Sequence, residues 1–241
     1  VTSPLNASHA RTLSPVSVAD AAEAHLRAQL FGGRLRAGQV LRDTFLAEEL
    51  GIARPTARTA VLRLIAEGLL EREPGHSARV RTFTAADVAD IYAVRRLIEF
   101  EAVRIITIER RDTAGIADAY RAFENAGDTW EAGPDADAHF HTAVVAAAGS
   151  PRLSRTFAGL ASEMRLLVAL LRTRYATLGE LADEHAGLLA TLRAGDTHRA
   201  LALWAEHIDD AERHVLAALL QAPEAATASD PGTRPHDEGR T

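Results

Sequence analysis

The chain has 241 residues, 47% of them hydrophobic and 25% charged, with no cysteine and a formal net charge of −6. That length supports one or two domains with a sizeable core, and the absence of cysteine excludes a disulfide framework and a thiolate metal site. No apolar run approaches the ~20 residues that span a bilayer and residues 1–20 lack a signal-peptide pattern, so a cytoplasmic protein with no membrane partner is expected.

In chain order, residues 1–15 are rich in Ser, Thr and Pro and read as disordered. Residues 16–33 read as a helix, with Val18, Ala22, Leu26 and Leu30 at helical spacing. Residues 38–81 then suggest a short helix, a tight turn at Gly51, a second helix and a hairpin. Phe45, Leu46 and Leu50 fit one face of the first helix; Ala57, Ala60, Val61, Leu64 and Ile65 fit one face of the second. Gly51 permits the positive φ that ends a helix sharply, and Pro55 suits a first helical turn, where its missing N–H is no loss. Pro74-Gly75 marks a turn between Leu69–Glu73 and Arg79–Phe83. The second helix shows Arg54, Thr56, Arg58, Thr59 and Arg63 on its remaining faces. A helix pair of this size with Arg and Thr near the start of its second member suits a DNA major groove, where Arg can fork onto guanine or phosphate.

The charge distribution agrees. Residues 1–82 hold 11 arginines against 8 acids, residues 83–221 hold 14 against 21, and the last twenty hold 2 against 4. Only the N-terminal part is positive, and modestly, so DNA affinity is expected to rest on a few placed contacts and on dimerisation.

From Thr84-Ala-Ala-Asp87, a helix start, the chain reads as helical to about Leu220. Helices are predicted near 84–109, 113–126, 135–148, 151–176, 178–194 and 196–220. Residues 222–241 have no apolar period and read as a disordered tail. Within the helical part, Asp137 and His141 are four apart on one face, with Phe140, Val144, Val145 and Ala148 beside them. His185 lies among Leu181, Leu188, Leu189 and Leu192, and His207 among Leu203, Trp204, Ile208 and Ala211. Three imidazoles and a carboxylate suit zinc, with nickel, manganese or iron as alternatives. Spacing alone does not show convergence. A buried, hydrogen-bonded core histidine is the ordinary role of each, and His214 and Asp210 are rival ligands.

These patterns resemble a known family. Ala37-Gly38-x-x-Leu41, Leu46-Ala47-x-x-Leu50-Gly51-Ile52-Ala53-Arg54-Pro55-Thr56-Ala57-Arg58 and Glu67-Gly68-Leu69-Leu70 resemble the winged helix-turn-helix of GntR bacterial transcription regulators. Tyr92, Arg95 and Glu99, then Asp137-x-x-Phe140-His141, Ala147-Ala148-Gly149-Ser150-Pro151-Arg152-Leu153, Glu184-His185 and His207 resemble the FCD effector domain of the FadR-type branch. Three positions depart from the pattern: Ala53 stands for the usual Ser cap, Thr59 for a Glu, and Thr44 for a common Arg, with Arg42 as a substitute.

The resemblance implies a mainly α fold: a winged helix-turn-helix with a small β-hairpin wing over 16–83, then an all-α bundle of six to seven helices over 84–221. It implies DNA contacts from Arg42, Arg54, Thr56, Arg58 and Gly75, a divalent transition metal on Asp137, His141, His185 and His207, and an effector contact from Arg95. The expected protein is a homodimeric repressor that binds double-stranded operator DNA and a small organic acid. A metal sensor, in which the ion is the signal, is the alternative. A metal-dependent enzyme is a weaker one, since no His-Glu-x-x-His or nucleophile–base pair is present.

Overall fold

The structure is a computed structural model and describes residues 17–125, 129–175 and 177–221; the segment 1–15 and the tail 222–241 lie outside these. The first helix, α1 (Val18–Phe31), starts on a capping box in which Ser17 and Asp20 satisfy each other's backbone N–H. The helix pair follows as α2 (Asp43–Leu50) and α3 (Arg54–Ala66). Gly51 closes α2 at φ 62°. Ala53 precedes α3 without a side-chain cap, and Pro55 occupies its first turn.

The buried face of α3 is Ala57, Ala60, Val61 and Leu64. One expectation fails on α2. Leu46 is buried, but Phe45 is 61% exposed, because α3 packs against the Leu46–Ala47 side of so short a helix. The wing also differs. Instead of two strands over 69–73 and 79–83, three very short strands form, β1 (Val40–Leu41), β2 (Leu70–Glu71) and β3 (Ala78–Val80), ordered β1-β3-β2 and antiparallel. Val40 faces Arg79 and Leu70 faces Val80 across the ladders. A two-residue strand such as β1 has too little length to show a period of two.

The second half is a bundle of α4 (Ala85–Ile108), α5 (Ala114–Asn125), α6 (Gly133–Ala147), α7 (Pro151–Ala158), α8 (Ala161–Leu170), α9 (Leu178–Ala194) and α10 (Thr197–Gln221). Thr84 and Asp87 form the capping box of α4. The single helix predicted over 151–176 is two. The chain breaks at Gly159-Leu160, where the Gly159 N–H turns back to Thr156 and Phe157, and α8 leaves in a new direction.

That turn gives α8 two buried faces. Met164, Leu167 and Leu171 just beyond it join the core of the bundle, while Leu166 joins the core built from α1, α3 and the wing. Arg81, just after β3, bonds Glu163 of α8, and Arg172 donates to the Gly32 carbonyl at 2.9 Å. The metal-ligand candidates lie deep in the bundle, on α6, α9 and α10.

Candidate metal centre and nucleic-acid interface

Asp137 and His141 stand one turn apart on α6, His185 on α9 and His207 on α10, and one ligand atom from each lies within 4.8 Å of all the others. All four residues are buried. The apolar stripe of each helix brings them inward: Phe140, Val144, Leu181, Leu188, Trp204 and Ile208 pack in the same core.

The polar neighbours set which imidazole nitrogen faces the centre. His141 Nδ1 donates to Glu99 Oε2 at 2.7 Å, and His185 Nδ1 donates to the Leu181 carbonyl at 2.7 Å. His207 Nδ1 lies 3.5 Å from Glu184 Oε2, a carboxylate that favours the proton on that nitrogen. With the rings neutral, as ligation requires, each turns the lone pair of its Nε2 inward. His141 Nε2 is 3.2 Å from His185 Nε2 and 3.4 Å from His207 Nε2, with Asp137 Oδ1 at 3.7 Å from His141 and 3.2 Å from His185. Three lone pairs and a carboxylate facing one another out of water repel unless a positive charge lies between them. Asp137 Oδ2 is buried without a hydrogen-bond partner. The donor set thus fits a divalent ion of borderline softness.

One positive charge already borders the cluster. Arg95 on α4 is buried; its Nε donates to Glu99 at 2.6 Å and its Nη2 to His141 Nε2 at 2.8 Å. The Arg95–Glu99 pair is therefore structural, and the same guanidinium also touches a ligand candidate. Burial acts against the charge on Glu99, but Arg95 and His141 outweigh it and hold its carboxyl far below the usual range. Asp137 is likewise held well below normal, with His141 and His185 overcoming burial. Burial pushes His207 down to about 4, which keeps this imidazole neutral, as ligation requires.

The rival ligands stand apart. His214 Nδ1 bonds the Asp210 carbonyl at 2.8 Å, and Asp210 is paired with Arg174 and Arg213. His139 and His198 are exposed. Sequence reasoning missed the supporting layer. Glu99 was legible only as part of the Tyr92, Arg95 and Glu99 pattern, yet it also accepts from His141 Nδ1 and from Trp204 Nε1 at 2.8 Å. Tyr175, which donates to Glu184 at 2.9 Å, carried no signal at all.

The DNA candidates gather on one exposed edge in the first half. Arg54 and Arg58 are exposed on the first turns of α3, with Thr56 half-buried between them. Neither arginine has an ion-pair partner among the described residues. Arg63, on the same helix, is held at 2.5 Å by Asp20 of α1 and is a structural residue. Arg42 is exposed directly before α2. Gly75 forms the exposed tip of the wing at φ 82°, a backbone angle that favours glycine.

Known proteins agree with both halves. The model of the family described as bacterial regulatory proteins, gntR family, matches residues 18–80, and that of the FCD domain matches residues 90–210. A Paenarthrobacter nicotinovorans protein named "Probable D-xylose utilization operon transcriptional repressor" is 26% identical over 202 residues, covering 82% of this chain and 88% of its own. A GntR transcriptional regulator structure from Rhodococcus sp. RHA1 superposes with TM-score 0.66 at 26% identity, over 83% of this chain and 98% of that one. E. coli McbR/YncC shares the fold, with TM-score 0.58 at 24% identity over 86% and 99%. No helix among the described residues is long and apolar enough to cross a membrane. A helix pair with exposed Arg54 and Arg58, a three-stranded wing and a helical bundle of this pattern, matched in order by both family models, place the chain in the GntR family of bacterial transcription regulators, with an FCD domain, and not among enzymes.

Proposed function

We propose that this regulator is a homodimeric repressor whose affinity for operator DNA is set by a divalent ion and a small carboxylate bound in the helical domain. Residues 16–83 read DNA and residues 84–221 sense the ligand. The observation that carries the reading is the inward convergence of three imidazole Nε2 atoms and Asp137 Oδ1, each imidazole supported by an oxygen behind it. When bound, a divalent ion would supply two positive charges and open positions for an oxygen donor such as a sugar acid or hydroxy acid, with zinc favoured by three nitrogens and one carboxylate. Arg95, whose Nη2 donates to the ligand candidate His141, would be the second anchor for an anion. It sits on α4, which is joined to β3 by a four-residue link, so contact with a ligand bears on the helix that leads from the wing. Naming of the Paenarthrobacter relative for a D-xylose utilization operon supports a carbon-source metabolite as the effector class.

In the dimer, two α3 helices would enter successive major grooves about one turn apart (~34 Å). Arg54, Thr56 and Arg58 read bases or phosphates, and Arg42 and Gly75 approach the backbone. Gel-shift titration at fixed salt tests the whole scheme. Arg54→Ala and Arg58→Ala are each expected to weaken operator binding by about 1–3 kcal/mol while scrambled DNA is bound much as before. The acid is expected to lower operator affinity of the ion-loaded protein, to have no effect after chelation and to act more weakly in Arg95→Ala. An acid response that survives complete chelation would remove the ion from the mechanism. An operator response to the ion alone would make the protein a metal sensor.

A further inference from the structure

A cleft of about 590 Å³ opens between α9 and α10, and His207 lies on its floor. Its walls carry five carboxylates, Asp183, Glu184, Glu206, Asp209 and Asp210, against two arginines, Arg174 and Arg213. Arg174 and Arg213 are both engaged with Asp210, and Asp209 is held by Arg96. Asp183 and Glu206 are exposed at the rim and have no ion-pair partner among the described residues.

The floor is where this cleft differs from an ordinary acidic surface. His207 is 91% buried, by its 9% exposure, and its Nδ1 is buried without a hydrogen-bond partner, 3.5 Å from Glu184 Oε2. The other nitrogen of the same ring belongs to the four-ligand cluster. Glu184 is held in place by Tyr175 and Arg174. One imidazole thus separates an acid-lined opening from a buried ligand set. His141 and His185 show no exposure at all and Asp137 very little, so His207 is the most accessible member of the cluster.

We propose that this cleft captures divalent cations from solvent and conducts them to the cluster, with Glu184 as the last oxygen contact before His207. The proposal rests on the metal reading above. Uncompensated carboxylates at a narrow opening raise the local cation concentration and the association rate. The same sign disfavours a free anion, so the acid effector binds after the ion, whose charge offsets the cleft.

The test uses the full chain, stripped of metal by chelation, and Co²⁺ as the probe, its uptake followed by visible absorption in a stopped-flow instrument. Asp183→Asn with Glu206→Gln is expected to slow uptake roughly ten-fold at low ionic strength, by Coulomb's law for a divalent ion about 10 Å from each charge. The difference is expected to fall to about two-fold near 0.15 M salt, where charges beyond ~8 Å are screened. At saturating Co²⁺ the content per chain stays that of the parent. Gly187→Met provides a charge-neutral plug, since a Cβ there meets only Leu203, at 3.8 Å; it is expected to slow uptake and release together and leave affinity unchanged. Parent-like rates in both variants, with full Co²⁺ content, would overturn the route alone. A parent protein that takes up no Co²⁺ would overturn the metal reading and the route with it.

Discussion

Alanine at His141, His185 or His207 is expected to release the bound divalent ion and to abolish the stabilisation that the ion confers. Each substitution removes one of four inward ligand atoms that lie within 4.8 Å of one another, and three remaining protein ligands hold a divalent ion far less tightly. An ion that binds only the folded state stabilises it by about 4 kcal/mol when present at a thousand times its Kd. For a chain of this size that corresponds to a melting-temperature shift on the order of 8–16 °C. The parent should therefore melt much higher with the ion than with chelator, and the three variants at nearly one temperature in both conditions. Elemental analysis should give about one ion per chain for the parent and for His139→Ala and His214→Ala, whose side chains lie outside the cluster. An ion content and a melting shift that survive all three ligand substitutions would sink the assignment. Loss of the ion in His214→Ala with retention in His207→Ala would move the fourth ligand along α10.

Glu99→Ala is expected to destabilise the chelated protein by about 3–5 kcal/mol, the cost of leaving a buried charge without its partner. Glu99 is fully buried and serves three donors: Arg95 Nε at 2.6 Å, His141 Nδ1 at 2.7 Å and Trp204 Nε1 at 2.8 Å. Its removal orphans all three, and α4, α6 and α10 lose the polar contact they share. Urea denaturation in chelator reads this loss apart from any ion. Glu99→Leu with Arg95→Met removes charge and partner together and should recover the part of the loss that comes from the unpaired Arg95 charge, while His141 Nδ1 and Trp204 Nε1 stay without an acceptor. A Glu99→Ala loss below about 1 kcal/mol would show that solvent or a rearranged Arg95 satisfies these groups. In metal-replete protein the same variant should also weaken ion binding about 10–100-fold, because the His141 ring loses the acceptor that turns its Nε2 inward.

Local chemistry was readable directly. The Thr84 capping signal, the Gly51 turn and the Pro55 start each depend on one or two neighbouring residues, and the helix boundaries at Leu50, Arg54 and Ala85 follow from them. The inward face of each histidine-bearing helix was readable too, since a period of 3.6 residues requires only the helix itself. Where prediction failed, the deciding contact was distant. Phe45 matched the apolar face of α2, yet nothing in a window of eight residues shows that the packing of α3 leaves it in solvent. The helix expected over 151–176 divides at Gly159-Leu160 because α8 must fill two cores at once, placing Leu166 in one and Met164 and Leu167 in the other.

The sequence by itself determined the two-part organisation, the helix pair with arginines near the start of its second member, and the residue types able to hold a divalent ion. Only the tertiary structure decided that Asp137, His141, His185 and His207 meet, that His214 and Asp210 do not join them, and that Arg95 divides its guanidinium between Glu99 and His141. The physical reason is that periodicity gives the face on which a side chain lies but not the height or rotation at which two helices cross. Those are settled by side-chain packing across the whole bundle, and ligand atoms more than forty residues apart in the chain come within 3.2–3.4 Å only through it.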